Sequence, residues 1–185
     1  MIVEEVNYLC RPEDVAVIPG IAEAIAHANR REVAVVVVTN QAGVGRGYYD
    51  WDAFAAVQAR ILAELGAAGA AVDLVLACAY HAEGQGAYRR ADHAWRKPGC
   101  GMLFAAAHVL GVELSASFIV GDRVSDLEAG RAAGLRAGAL VASGYGAGEA
   151  REHADRLAAW RQDGLFRAEI GLPGPAAIRA WLDGL

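Results

Sequence analysis

Positive charge is in short supply in this sequence. Its 17 Lys and Arg are outnumbered by 22 Asp and Glu, for a formal net charge of −5. No basic face therefore advertises nucleic acid or an anionic membrane as a partner. Cysteine is sparse too: Cys10, Cys78 and Cys100 are widely separated and odd in number. That usage fits a reducing cytoplasm and not a disulfide framework. Long apolar runs are missing, the longest falling far short of a membrane span. The opening "MIVEEVNYL" is acidic and has no basic n-region, so it does not read as a signal peptide. Nucleotide fingerprints are absent as well. There is no GxxxxGK(S/T), and "GVGRG" is not GxGxxG.

What remains is a globular composition, 55% hydrophobic in 185 residues, enough for one domain spanning 1–185 with its own core. Strand and helix signals alternate along it. "EVAVVVVTN", "VDLVLACAY", "ASFIVG" and "LRAGALVA" read as apolar strands, and a shorter one is expected near Phe166 to Ile170. Helical spacing appears in "GIAEAIAHANR", in the segment after Asp50, which is a natural N-cap, and in "VSDLEAGRAAG". A further helix is expected to open at Pro98, and "QAGVGRGYY" reads as a glycine loop. Repeated βα units of this kind predict an α/β fold with a mostly parallel sheet and helices on both faces. Ligands in such folds sit at the carboxyl ends of the strands.

Polar motifs cluster at those ends. Thr39-Asn40-Gln41 closes one strand, and with the amides around Gly43, Gly45 and Gly47 it offers donors suited to phosphate oxygens; Arg46 is positioned to add charge. Arg96-Lys97-Pro98 stands before an expected helix start, where a cation and the helix dipole would cooperate on an anion. Asp122 ends the "FIVG" strand, with Asp126 one helical turn on. Carboxylates buried at a strand mouth are costly unless a cation faces them. Magnesium beside a phosphate is one candidate for that cation, and Lys97 is another for Asp126. Each motif alone has a plain alternative: a polar cap, a surface charge pair, or an N-cap at Asp122.

Together, in this order and spacing, the three motifs resemble the haloacid dehalogenase (HAD) superfamily of phosphatases. "VVVVTNQAGVGRGYY", "WRKPGCGML" and "FIVGDRVSDLEAGRAAG" are most similar to its histidinol-phosphate and D-glycero-D-manno-heptose 1,7-bisphosphate phosphatase branch. The resemblance implies a three-layer Rossmann-like sheet without a large cap. It implies a Mg²⁺-dependent phosphatase of small phosphorylated metabolites, a sugar bisphosphate first and histidinol phosphate next. Thr39, Asn40 and Gln41 would bind the phosphoryl group, and Lys97 would neutralise it and the nucleophile. Asp122 would ligate Mg²⁺ with Asp126 behind it, while Arg96 and Arg123 would hold the rest of the substrate.

Two departures from that pattern matter. The family attacks phosphorus with an aspartate in a hydrophobic–Asp-x-Asp-Gly strand lying between the TNQ and GDxxxD strands. "MIVEEVNYL" resembles the segment just after that motif, so nucleophile and general acid are not found in this sequence. The expectation is a sheet lacking its first strand, with two neighbours unpaired and stability or activity impaired unless the N-terminal segment moves in. A phosphate-binding module without catalysis is the alternative. Secondly, a loop zinc site of the branch maps to Cys78, Tyr80, His93 and Trp95, a set that makes zinc an unlikely cofactor.

Overall fold

The computed structural model describes residues 1–185, the side chain of residue 163 excepted. Its elements run α1 (Ile21–Arg30), β1 (Val36–Asn40), α2 (Ala42–Arg46), α3 (Trp51–Ala67), β2 (Leu74–Cys78), α4 (Gly101–Leu110), β3 (Phe118–Gly121), α5 (Val124–Ala132), β4 (Ala137–Val141), α6 (Gly146–Glu152), α7 (Ala154–Asp163), β5 (Arg167–Leu172) and α8 (Pro175–Asp183). The expected alternation and the five strands are present. No helix is long and apolar enough to cross a membrane, among the described residues.

All strand pairing between these elements is parallel. β1 pairs with β2, Val36 opposite Leu74 through Asn40 opposite Cys78. β4 lies between β3 and β5, with Phe118 opposite Ala137 on one side and Ala137 opposite Arg167 on the other. Side chains of a strand alternate between faces, and β4 uses both. Ala137, Ala139 and Val141 join α1, α3 and α8 in one apolar cluster. Leu140 joins α5, α7 and Phe166 in the other. Helices on both faces of a parallel sheet make three layers. β4 is completely buried and begins Ala137-Gly138-Ala139; small residues are needed there, since a Cβ on Gly138 would stand 2.4 Å from the Phe166 ring.

Among the described residues the sheet is in two parts, of order β1-β2 and β3-β4-β5. Between β1 and β3 lies a cleft of about 1100 Å³, lined on one side by Val36–Val38 and on the other by Phe118–Val120. The "VAVVVV" run reads as a strand covered on both faces, yet β1 is only half-buried along its length, because this cleft flanks it. The N-terminal segment does not enter the sheet. Val3 bridges Val17 in antiparallel fashion, and Ile2 and Val3 pack on the α1–α3–α8 cluster.

Two local expectations need correction. The glycine segment after Gln41 is not all loop: residues 42–46 form α2, ended by Gly47 at φ 75°. Its glycines permit close packing that a side chain would forbid, since a Cβ on Gly45 would lie 1.9 Å from the Ala79 carbonyl oxygen. Pro98 does not open a helix either. The Lys97-Pro98 peptide is cis, and the chain first turns back on itself, Gly99 N–H donating to Arg96 O and Gly101 N–H to Ala94 O. Helix α4 begins only at Gly101, so Lys97 sits in that turn and away from the helix terminus.

Candidate active site

The carboxyl ends of β1 and β3 bring three separated motifs to one place. Thr39, Asn40, Gln41, Arg96, Lys97, Gly121, Asp122, Arg123 and Asp126 all line the cleft mouth. Lys97 is the joint. Its ammonium donates to the Val38 carbonyl of β1 at 2.6 Å and pairs with Asp126 Oδ1 of α5 at 2.7 Å. Both side chains are nearly buried, 13% and 8% exposed. Such a pair is held by mutual compensation, because either charge alone would be strongly penalised.

Each partner is itself braced. Asp126 Oδ2 accepts the Arg123 backbone N–H at 3.1 Å, satisfying a free amide at the start of α5. Gly121 makes room for it: a Cβ there would stand 2.1 Å from Asp126 Oδ2. On the β1 side, Asn40 grips the Lys97 peptide at both ends. Its Nδ2 donates to Lys97 O and its Oδ1 accepts from Lys97 N–H, each at 3.1 Å. The Asn40 carboxamide is therefore occupied with holding the Lys97 turn. Gln41 also faces protein, its Nε2 donating to Thr39 Oγ1 at 2.9 Å. The Thr39 hydroxyl, the Lys97 ammonium and the Arg96 guanidinium are the groups of these two motifs left at the cleft mouth with donor character.

Asp122 stands at the tip of β3, where its Oδ2 accepts the Tyr145 backbone N–H at 3.2 Å. Gly144, at φ 60°, passes so near that a Cβ would lie 2.7 Å from that oxygen. The Met1 amine is buried beside these groups; burial lowers its pKa, Asp122 and Asp126 oppose that shift, and Lys97 adds to it. Hard carboxylate oxygens at a strand tip beside a cationic pocket suit magnesium, which takes one or two carboxylates and leaves other positions to water and phosphate.

The remaining arginines are more committed than their sequence suggests. Arg123 lies 3.3 Å over the Tyr145 ring and 3.4 Å from Glu149 Oε1, while Glu149 Oε2 accepts the Val124 N–H at 2.7 Å. Arg96 donates to the Tyr80 carbonyl at 3.0 Å, and burial lowers its pKa. Arg46 turns aside to Glu83 at 2.6 Å and to the Tyr8 hydroxyl. At the positions of the branch's zinc site, Tyr80 stacks on His93 with ring centres 3.7 Å apart. His81 beside them has its pKa lowered by burial and by Arg96 and Arg46.

Sequence reasoning missed Tyr49, Tyr145 and Glu149. Tyr49 is the last residue of the "QAGVGRGYY" segment, a signal that was available. Tyr145 and Glu149 lie far along the chain from Asp122 and carry no motif.

Comparison with known proteins follows the same lines. A family model described as HAD-hydrolase-like matches residues 94–165. The chain is 48% identical over 137 residues to a D-glycero-beta-D-manno-heptose-1,7-bisphosphate 7-phosphatase of Mesorhizobium japonicum, covering 74% of this chain and 63% of that protein. It thus spans just under two thirds of that relative's length. A phosphatase of the same description from Rhodopseudomonas palustris is 41% identical, with 70% and 72% covered. Among solved structures, the D,D-heptose 1,7-bisphosphate phosphatase of B. bronchiseptica complexed with magnesium and phosphate superposes with a TM-score of 0.81 at 26% identity. That match covers all of this chain and 93% of the other.

Proposed function

The chain belongs to the D-glycero-D-manno-heptose-1,7-bisphosphate 7-phosphatase family of HAD-like hydrolases, and from that premise we propose that its site serves magnesium-dependent removal of one phosphoryl group from a small cytoplasmic sugar bisphosphate. The observation that carries the reading is Lys97. One ammonium ties the β1 carbonyl of Val38 to Asp126, and so holds the strand tips bearing Thr39 and Asp122 around a single cationic spot.

In this reading the Thr39 hydroxyl donates to a phosphoryl oxygen, and Lys97 offsets the charge of the phosphoryl group. Asn40 keeps Lys97 in place through the Lys97 peptide. Asp122 holds magnesium, with Asp126 behind as the fixed counter-charge of Lys97. Magnesium, when bound, supplies Lewis-acid neutralisation of phosphoryl oxygens. In this reading Arg96, at the cleft mouth, grips the distal part of the substrate with the guanidinium nitrogens that do not bond Tyr80 O.

A second reading has a specific observation in its favour. Asp122 at the tip of β3 and Asp126 in the first turn of α5 are both engaged, Asp126 by Lys97 and Asp122 by the Tyr145 amide, so the described groups bind a phosphoryl group more readily than they attack one. Phosphate release from heptose 1,7-bisphosphate, other sugar bisphosphates and histidinol phosphate, with magnesium and with chelator, separates the two. The hydrolase reading expects heptose bisphosphate to turn over fastest and chelator to abolish it. Faster release from non-sugar esters overturns the sugar assignment. Magnesium-dependent phosphate binding without turnover favours the binding module.

A further inference from the structure

A threonine hydroxyl has one proton and two lone pairs, so its usefulness to an anion depends on where the proton points. Thr39 Oγ1 accepts a hydrogen bond from Gln41 Nε2 at 2.9 Å. The other end of that carboxamide, Gln41 Oε1, accepts from the Tyr49 hydroxyl at 2.5 Å. A phenol is a better donor than acceptor, because its lone pairs are delocalised into the ring. Tyr49 therefore favours the amide orientation that turns the carbonyl oxygen to itself and the NH₂ to Thr39. With an amide hydrogen already on its oxygen, Thr39 has its own proton free for the cleft. The opposite amide orientation would draw that proton into Gln41 and present only lone pairs to an anion.

We propose that Tyr49 and Gln41 are positioning residues that fix the Thr39 hydroxyl as a hydrogen-bond donor to the phosphoryl group. The inference deepens the reading under Proposed function and rests on it. Packing supports the arrangement. A Cβ on Gly43 would lie 2.2 Å from the Tyr49 ring, so glycine at this position lets the phenol reach Gln41. Burial also pushes the Tyr49 pKa up to about 12, which keeps the phenol protonated at any working pH. Neither residue needs to touch the substrate.

The test is calorimetric titration of inorganic phosphate into the protein in magnesium buffer, using the unaltered chain, Tyr49→Phe, Thr39→Val and the double variant. Tyr49→Phe keeps the ring in place, and circular-dichroism melting at pH 7.5 checks that each variant is folded. Thr39→Val is expected to weaken phosphate binding about tenfold or more, the loss of a bond to a charged group. Tyr49→Phe alone is expected to weaken it about threefold to tenfold. In the double variant the Tyr49 effect vanishes, because there is no hydroxyl left to orient. Gln41→Glu, which accepts but does not donate, is expected to bind phosphate no better than Thr39→Val. Unchanged affinity in Tyr49→Phe, or the same loss with and without the Thr39 hydroxyl, overturns the inference alone. Failure of the unaltered protein to bind phosphate overturns the parent reading and this inference with it.

Discussion

Replacing Lys97 with Met removes one half of a nearly buried ion pair while keeping the shape of the side chain. Asp126 would then retain its bond from the Arg123 amide but lose the ammonium 2.7 Å away. The Val38 carbonyl would lose its donor as well. Breaking a buried pair from one side costs about 3–5 kcal/mol, and a carbonyl left without a partner about 1–3 kcal/mol. The two overlap, and water in the cleft softens both, so the expected loss at pH 7.5 is about 3 kcal/mol. Urea unfolding followed by circular dichroism measures it. A second signature separates electrostatics from packing. Removing both charges, in Lys97→Met with Asp126→Leu, should cost less than the sum of the single changes. A loss below about 1 kcal/mol, additive with Asp126→Leu, would refute the view of Lys97 as the joint between the strand tips.

Three other outcomes are expected. Asn40→Ala deletes both bonds to the Lys97 peptide; phosphate affinity should fall about tenfold, and the same change in a Lys97→Met background should add almost nothing, as titration calorimetry would show. Gly121→Ala places a Cβ 2.1 Å from Asp126 Oδ2, so the Lys97–Asp126 pair must shift, and a loss of about 1–3 kcal/mol should be read in urea unfolding. The Tyr49 hydroxyl, raised to about 12 by burial, stays protonated in the fold while the unfolded chain ionises it near 10. Its contribution is complete below pH 10 and is lost as pH rises from 10 to 12, so alkaline melting curves of Tyr49→Phe should fall less steeply over that window.

Much of this architecture is legible in the residues. Apolar runs such as "FIVG" and "LRAGALVA" announce strands because they alternate with helical spacing, and Asp50 caps its helix as its chemistry dictates, accepting the Ala53 amide at 2.8 Å. The convergence of Thr39, Lys97 and Asp122 also follows from strand-end logic. What escaped is the direction in which polar groups spend their bonds. Thr39-Asn40-Gln41 reads as three donors for a phosphate, yet two of its carboxamides serve Lys97 and Thr39. Nothing in local spacing reveals that, since the partners are set by tertiary contacts. The same holds for the segment after Gly144. Its "SGYGAGEA" stretch reads as a loop, yet Gly146–Glu152 form α6, and its role in holding the Asp122-Arg123 turn through the Tyr145 amide and Glu149 depends on how β4 ends beside β3. The missed Pro98 boundary has a local cause. Gly99 N–H bonds Arg96 O and Gly101 N–H bonds Ala94 O, and the close approach of both glycines to the Ala94 carbonyl commits this stretch to a turn, so α4 starts only at Gly101.

The most direct measurement is a crystal of the protein grown with magnesium and soaked in tungstate, a heavy phosphate mimic. One anomalous peak is expected at the cleft mouth, within hydrogen-bonding reach of both Thr39 Oγ1 and Lys97 Nζ, with a metal ion on Asp122 alongside. Tungstate bound elsewhere, with Thr39, Lys97 and Asp122 left without a shared anion, would contradict the assignment of these strand tips to a single phosphoryl site.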